Sequence, residues 1–437
     1  MRCTLWRRMR KTSTDVLVVG VALFAMFFGA GNLIFPPFMG MMAGSAWGAA
    51  LLGFLITGIG MPLLGIVASA RAGGSVEHLA GRVGPRFARI LSVVIILAIG
   101  PLLAIPRTGA TTFELGVLPV APWFSPALFS VLYFAVTLFF ALNKSAVVDK
   151  IGKILTPFLL LTLAWIIVKG LVSPLGPLVD QGLPQPFARG FREGYQTMDA
   201  MASVVFAEIV IGALVFKGYK GAGDQVRLAS LAGVIAAVGL GLVYGGLMYV
   251  GATGSTRFPA GIERTQLVVA ISQALLGGTG KIALGLAVAL ACLTTSIGLT
   301  ATVGDYFSGL WNGRLGYKAI CLATVVFSGV FATVGVTTIV RVAVPLLVTV
   351  YPVVIVLILL TISGARRRGV YVGAVAGALA IGLLDAFTAA GAPIEAVNAL
   401  VARIPFAQAG FPWILPALAG GLAGWLFPAA GRVAGRE

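Results

Sequence analysis

Twelve apolar runs recur along the chain, at 15–43, 46–70, 88–108, 126–142, 152–172, 195–217, 227–252, 282–308, 317–337, 340–362, 369–388 and 410–430. A run of roughly 20 residues crosses the ~30 Å hydrocarbon core of a bilayer as a helix. Lipid offers the backbone no hydrogen bonds, so a chain built of such runs folds as a bundle of membrane-spanning helices. Composition agrees. Of 437 residues 59% are hydrophobic and only 10% charged, and mean hydropathy is +1.02; a soluble domain carries about 25% charge. No stretch is polar enough for a separate aqueous domain. The chain reads as an all-α polytopic membrane protein, with one transmembrane domain over 15–430 between a tail at 1–14 and another at 431–437.

The net charge of +17 does not signal a nucleic-acid partner, because the basic residues sit in short connections between apolar runs. With the N-terminus cytoplasmic, most of the 31 lysines and arginines fall on the cytoplasmic side, as the positive-inside rule requires. Both termini are therefore expected there. The basic start "MRCTLWRRMRKTSTD" enters the first run without a small-residue cleavage site and reads as a tail, not a signal peptide. Cys3, Cys292 and Cys321 have no ligand or disulfide spacing, and His78 is the only histidine. There is no clustered His/Asp/Ser and no nucleotide-binding loop. These absences argue against an enzyme, an organic cofactor or ATP as energy source, and nothing signals an obligatory protein partner.

The first run contains "FAMFFGAGNLIFPPFMG", with Gly29, Gly31, Asn32 and Pro36-Pro37 where a plain helix would serve. A break there frees N–H groups at one half-helix start and C=O groups at the other half's end. Facing a cavity, such groups bind charged ligands. Gly29 and Gly31 could instead serve close helix packing. The sixth run, "GYQTMDAMASVVFAEIVIGALVFKGY", carries Asp199, Ser203 and Glu208 and is read as the second discontinuous helix. Interruptions five spans apart point to two inverted repeats of five helices, about 15–172 and 195–362, with two peripheral helices over about 369–430. Residues 253–281 form a longer loop whose "IERTQLVVAISQALLG" has helical periodicity.

The eighth run holds Thr294, Thr295 and Ser296 in "ACLTTSIGL". Such hydroxyls either bond back to carbonyls one turn earlier or, with nearby carbonyls, form a hard-oxygen site for a small cation. Ionisable residues inside the membrane are functional candidates by default. Glu208 sits near the middle of the sixth run, Asp199 near its outer start and Arg107 near the outer end of the third. Arg107 could equally anchor at the interface and Asp199 cap its helix. All three are candidates for gating or coupling.

The stretches "FAMFFGAGNLIFPPFMG", "GFLITGIGMPLLG", "AIGPLLAIPRTGATTFELG", "GYQTMDAMASVVF" and "ACLTTSIGL" occur in order between about Leu17 and Ile362. They resemble the branched-chain amino acid:cation symporters, the BrnQ-type family, and more distantly the five-plus-five sodium symporters of the bacterial leucine transporter type. The resemblance implies a transporter in the bacterial cytoplasmic membrane that imports leucine, isoleucine or valine with sodium by alternating access. It implies a substrate-carboxylate turn at Gly29, Ala30, Gly31 and Asn32, and a pocket that includes Ser203, Phe206, Ala207 and Leu299. It implies a sodium site from the carbonyls of Ala25, Phe28 and Ala291 and the hydroxyls of Thr294 and Thr295. Two departures stand out. Met201 lies where a second ion site would need a hydroxyl. Phe206-Ala207 replaces the family's Phe-Gly, where the resemblance implies the unwound turn of the sixth span, and is followed by Glu208; a carboxylate beside that turn keeps proton coupling open as the alternative. A channel or transport-like sensor is the remote alternative, and no filter loop or signalling domain supports it.

Overall fold

The computed structural model describes residues 2–143, 146–311, 313–392 and 395–427. Among the described residues regular structure is helical, apart from one bridge between Gly44 and Asp180. The helices are α1 (Arg2–Phe27), α2 (Ala30–Ala43), α3 (Trp47–Leu55), α4 (Met61–Ala72), α5 (Val76–Gly81), α6 (Pro85–Leu97), α7 (Ala104–Thr112), α8 (Pro126–Asn143) and α9 (Ala146–Val172). The second half holds α10 (Pro186–Glu193), α11 (Asp199–Phe216), α12 (Ala222–Thr253), α13 (Arg264–Leu310), α14 (Tyr317–Ala332), α15 (Val336–Ile362), α16 (Arg368–Ala389), α17 (Glu395–Val401) and α18 (Ile414–Leu426).

Each of the twelve apolar runs corresponds to a helix or a helix pair. Among the described residues, eight continuous stretches are long and apolar enough to span, α1 and α2 form a ninth as a bent pair, and 157–172, 317–332 and 414–426 are shorter apolar helices. Two of the eight join helices through π-helical turns, α3 to α4 over Ile56–Gly60 and α6 to α7 over Ala98–Leu102. The periodic segment expected between the seventh and eighth runs is helical, but it merges into α13, with a kink at Gly277 (φ 69°). Residues 2–14, read as a tail, continue the helix of the first span. The tail at 431–437 lies outside the described residues.

Close backbone contact fixes how α2 lies on α12. A Cβ on Gly40 would sit 1.9 Å from the Met248 carbonyl oxygen, and one on Gly251 2.0 Å from that of Pro37. Only glycine fits at either place, the small-residue packing expected in lipid, where dispersion rather than water expulsion holds helices together. Two turns from these contacts, the same docking sets Asn32 of α2 against Tyr244 of α12.

On the face carrying the N-terminus, α5, α6, α11 and the end of α13 surround a vestibule of about 1040 Å³. On the opposite face the chain is drawn together. Arg264, the first residue of α13, pairs with Glu193 at the end of α10 (3.1 Å), and its guanidinium lies 4.3 Å over the ring of Phe38 in α2.

Candidate functional site

Three helix interruptions converge between these faces. The first is the break between α1 and α2, a bend of 70°. There the Gly29 N–H leaves the helical ladder and donates to Asn32 Oδ1 (3.1 Å), which takes from the Ala25 carbonyl its usual i+4 donor. The N–H groups of Ala30, Gly31 and Asn32 open α2 and have no intrahelical acceptors.

The second interruption is not where the sequence pointed. Expected beside Phe206 and Glu208, it lies at 194–198. A 3₁₀ turn over Gly194–Thr197 leads to Met198 in the left-handed region (φ 64°), and α11 then runs unbroken from Asp199. The positive φ of a residue with a side chain is a local cost, and it turns the first residue of α11 inward. The third interruption was not anticipated. Gly100 is non-helical (φ −98°, ψ −124°) next to Pro101, inside the span that joins α6 to α7, and beyond it α7 carries Arg107 and Thr108 toward the same place.

A cavity of about 50 Å³ lies where the three meet. Its walls include Met26, Phe27, Ile99, Ala104, Phe206 and Leu299, and its polar lining includes Arg107, Thr108, Thr197, Asp199 and Thr295. Of the residues the resemblance pointed to, Gly29, Ala30, Asn32, Phe206, Leu299 and Thr295 line this cavity. Others do not. Ser203 is fully buried, donates to the Ala200 carbonyl (2.7 Å), and occupies the space beside Gly65 of α4. Ala207 is buried away from the cavity, because only one stripe of α11 faces it. Gly31 is also absent from the lining. Where its Cβ would be, the Arg107 guanidinium sits, with Nη2 at 2.8 Å. Gly31 thus makes room for an arginine rather than for a ligand.

Asn32, Asp199 and Tyr244 form a buried cluster. Asn32 Nδ2 donates to Asp199 Oδ2 (2.7 Å) and to the Tyr244 hydroxyl, and that hydroxyl donates to the same Oδ2 (3.2 Å). Tyr244 lies 45 residues from Asp199 and 212 from Asn32, and nothing in a single sequence announces it. Arg107 is only 4% exposed, which removes the interfacial-anchor reading. Its Nη1 donates to the Gln196 carbonyl (2.6 Å), and the guanidinium stands over Phe35. Even by lenient scales a charge at mid-membrane costs ~2.5 kcal/mol or more, so two in one small cavity call for a purpose.

Glu208 is a correction. Hydropathy placed it mid-membrane and buried, but it is exposed, in the wall of the N-terminal-face vestibule with Val205 and Ile211. The proposed ion ligands are only partly assembled. Thr295 lines the cavity, with Cγ2 4.0 Å from the Cβ direction of Gly29, so the first break and the eighth span do meet. Ala25, Phe28, Ala291 and Thr294 are not part of that lining. The Thr294 and Thr295 hydroxyls both donate to the Ala291 carbonyl (2.9 and 3.0 Å). Their lone pairs remain available to a cation, while Ala291 already accepts both.

Known proteins share this architecture. The chain matches a family model described as branched-chain amino acid transport protein over residues 12–430. It is 40% identical to the branched-chain amino acid permease BraB of Bacillus subtilis (strain 168), over 94% of this chain and 95% of that one. It is 38% identical to the branched-chain amino acid transport system 2 carrier protein of Pseudomonas aeruginosa, over 92% and 93%. Among solved structures it resembles MhsT in complex with L-phenylalanine (TM-score 0.58, 16% identity, 93% of this chain and 98% of that one). It also resembles Mhp1, a nucleobase-cation-symport-1 family transporter, in a closed conformation (TM-score 0.61, 13% identity, 94% and 91%). The fold is that of the five-plus-five inverted-repeat transporters, with a break in the first span and a 3₁₀ turn leading into the sixth. An integral, multi-pass membrane protein matched along nearly its whole length, this chain belongs to the branched-chain amino acid transport protein family.

Proposed function

We propose that this protein imports leucine, isoleucine or valine across the bacterial cytoplasmic membrane in symport with sodium. The observation that carries the reading is the cavity at the three helix interruptions. Medium-sized apolar walls (Ile99, Phe206, Leu299) surround a site that also offers backbone N–H groups and both signs of charge. An amino acid with a branched aliphatic side chain presents the matching surface. The cavity of about 50 Å³ is smaller than the ~300 Å³ or more of open ligand pockets, so loading requires movement of its walls.

The two faces supply that movement. The N-terminal face has the open vestibule, and the opposite face is held by Arg264 against Glu193 and Phe38. This pattern suits a carrier open toward the cytoplasm. Alternating access would release the Arg264 contacts and close the vestibule. We expect Arg264→Ala to loosen the outer closure. A cysteine placed at Gln196 should then react several-fold faster with an impermeant thiol reagent added from outside, while native Cys292 and Cys321, both buried, stay silent. Unchanged labelling would remove Arg264 from the closure.

Sodium would sit between the first break and the eighth span, against the Ala25 and Phe28 carbonyls and the Thr295 hydroxyl. By ordering the break it would favour substrate, and substrate must favour sodium equally. The test is labelled-leucine uptake into proteoliposomes with sodium and proton gradients imposed separately. We expect sodium to drive uptake and Thr295→Ala to weaken the sodium stimulation about tenfold or more, with less effect on leucine exchange. Uptake driven by protons alone would sink the sodium reading, and the absence of counterflow would sink the carrier reading. Exposed in the vestibule, Glu208 is poorly placed for the proton alternative.

A further inference from the structure

We propose that Arg107 and Asp199 clamp the two ends of an α-amino acid. The Arg107 guanidinium, with the N–H groups that open α2, takes the α-carboxylate. The Asp199 carboxylate takes the α-ammonium. The proposal rests on the amino-acid transport reading and deepens it.

Among the described residues, Arg107 and Asp199 are the ionisable groups that line the cavity, they are 4% and 3% exposed, and no ion pair joins them. Each is held by neutral groups and retains capacity. A guanidinium has five N–H donors. Here Nη1 serves Gln196, and Nε has no hydrogen-bond partner among the described residues. Gly31 leaves the space that lets this guanidinium lie at the start of α2, so two sources of positive potential converge. A carboxylate accepts about four hydrogen bonds; those from Asn32 and Tyr244 both end on Oδ2 of Asp199, and Oδ1 can take a further donor.

Asn32 itself is committed. Its Oδ1 accepts from Gly29, and its Nδ2 serves Asp199 and Tyr244. Its side chain positions Asp199 and is not a ligand of the substrate carboxylate, which is left to its backbone N–H. A neutral ligand would leave both buried charges unpaired, and a simple anion or cation would pair only one. A zwitterion pairs both, and charge-assisted hydrogen bonds are the strong ones.

The test uses the purified full-length protein in sodium and measures the ligand concentration that half-maximally raises its unfolding temperature. The ligands are leucine, leucinamide (no carboxylate) and 4-methylpentanoate (no ammonium). Wild type should prefer leucine over each analogue by roughly a hundredfold. Asp199→Asn should weaken leucine by a similar factor and bring leucine and 4-methylpentanoate within about threefold of each other, while leucinamide stays disfavoured. Arg107→Gln should show the reverse pattern. Asp199→Glu and Arg107→Lys keep the charges and should keep the discrimination. They also decide the matter if the neutral variants do not fold.

A folded neutral variant that binds leucine within about threefold of wild type overturns the clamp. So does one that weakens leucine and both analogues equally, the signature of a merely structural role, and so does a folded charge-retaining variant that loses the discrimination. If wild type binds another amino acid in place of leucine, the branched-chain reading fails on its own, and the amide and deaminated analogues of that amino acid test the clamp. A wild type that binds no amino acid overturns both.

Discussion

Gly31→Val should abolish amino-acid uptake while the protein still reaches the membrane. The Cβ alone would lie 2.8 Å from Arg107 Nη2, 3.0 Å from Phe35 Cε2 and 3.1 Å from Arg107 Cζ. A flexible arginine could ordinarily swing away. This one is bonded to the Gln196 carbonyl and stacked over Phe35, inside a site from which water is largely excluded. Displacing it strands a buried charge and removes it from the start of α2, so we expect uptake to fall by at least two orders of magnitude. Gly29→Ala is the comparison. Its Cβ would meet nothing nearer than 3.7 Å and would point toward Asn32 Oδ1 and Thr295 Cγ2, so we expect a rise of about tenfold in KM. Uptake in membranes normalised to protein level checks both. Equal effects of the two substitutions would refute the assignment of Gly31 to Arg107.

Gly251→Leu should damage the fold rather than the site. The α2–α12 contact leaves 2.0 Å between a Cβ at 251 and the Pro37 oxygen, and the obstacle is backbone, which cannot rotate aside. The cost belongs at or above the top of the ~1–3 kcal/mol usual for overpacking. We expect no monodisperse protein after extraction, or a clear fall in unfolding temperature. Gly48→Ala in α3 is the control, since a Cβ there meets nothing within 4 Å. A Gly251→Leu protein as stable as wild type would mean that α2 and α12 do not pack this closely.

The spans were legible because hydropathy over 20 residues is a collective signal that no single residue can spoil. The first break was legible because Gly29, Gly31 and Asn32 are conspicuous in an apolar run. The second was mislocated because its left-handed residue is Met198, and a methionine does not advertise a positive φ as glycine would. The third was hidden because Gly100 and Pro101 read as ordinary membrane residues. Glu208 was misjudged for a different reason. Hydropathy gives depth along a helix but not which neighbour a face meets, and this face meets the vestibule. Arg107 and Asp199 were visible as charges, but their convergence needed three dimensions, and Tyr244 needed the docking of α12 on α2.

The separated charges in the cavity also bear on kinetics. Under the proposed alternating access, any route taken with substrate absent would carry an unpaired guanidinium and carboxylate through a closed intermediate, where each is expensive. With substrate present, that intermediate is electrically matched at both ends. The empty protein should therefore reorient more slowly than the loaded one, and exchange of internal for external substrate should outrun net accumulation. Under the proposed sodium coupling, the same asymmetry would protect the cell, since a slow empty return also limits sodium crossing alone and dissipating its gradient.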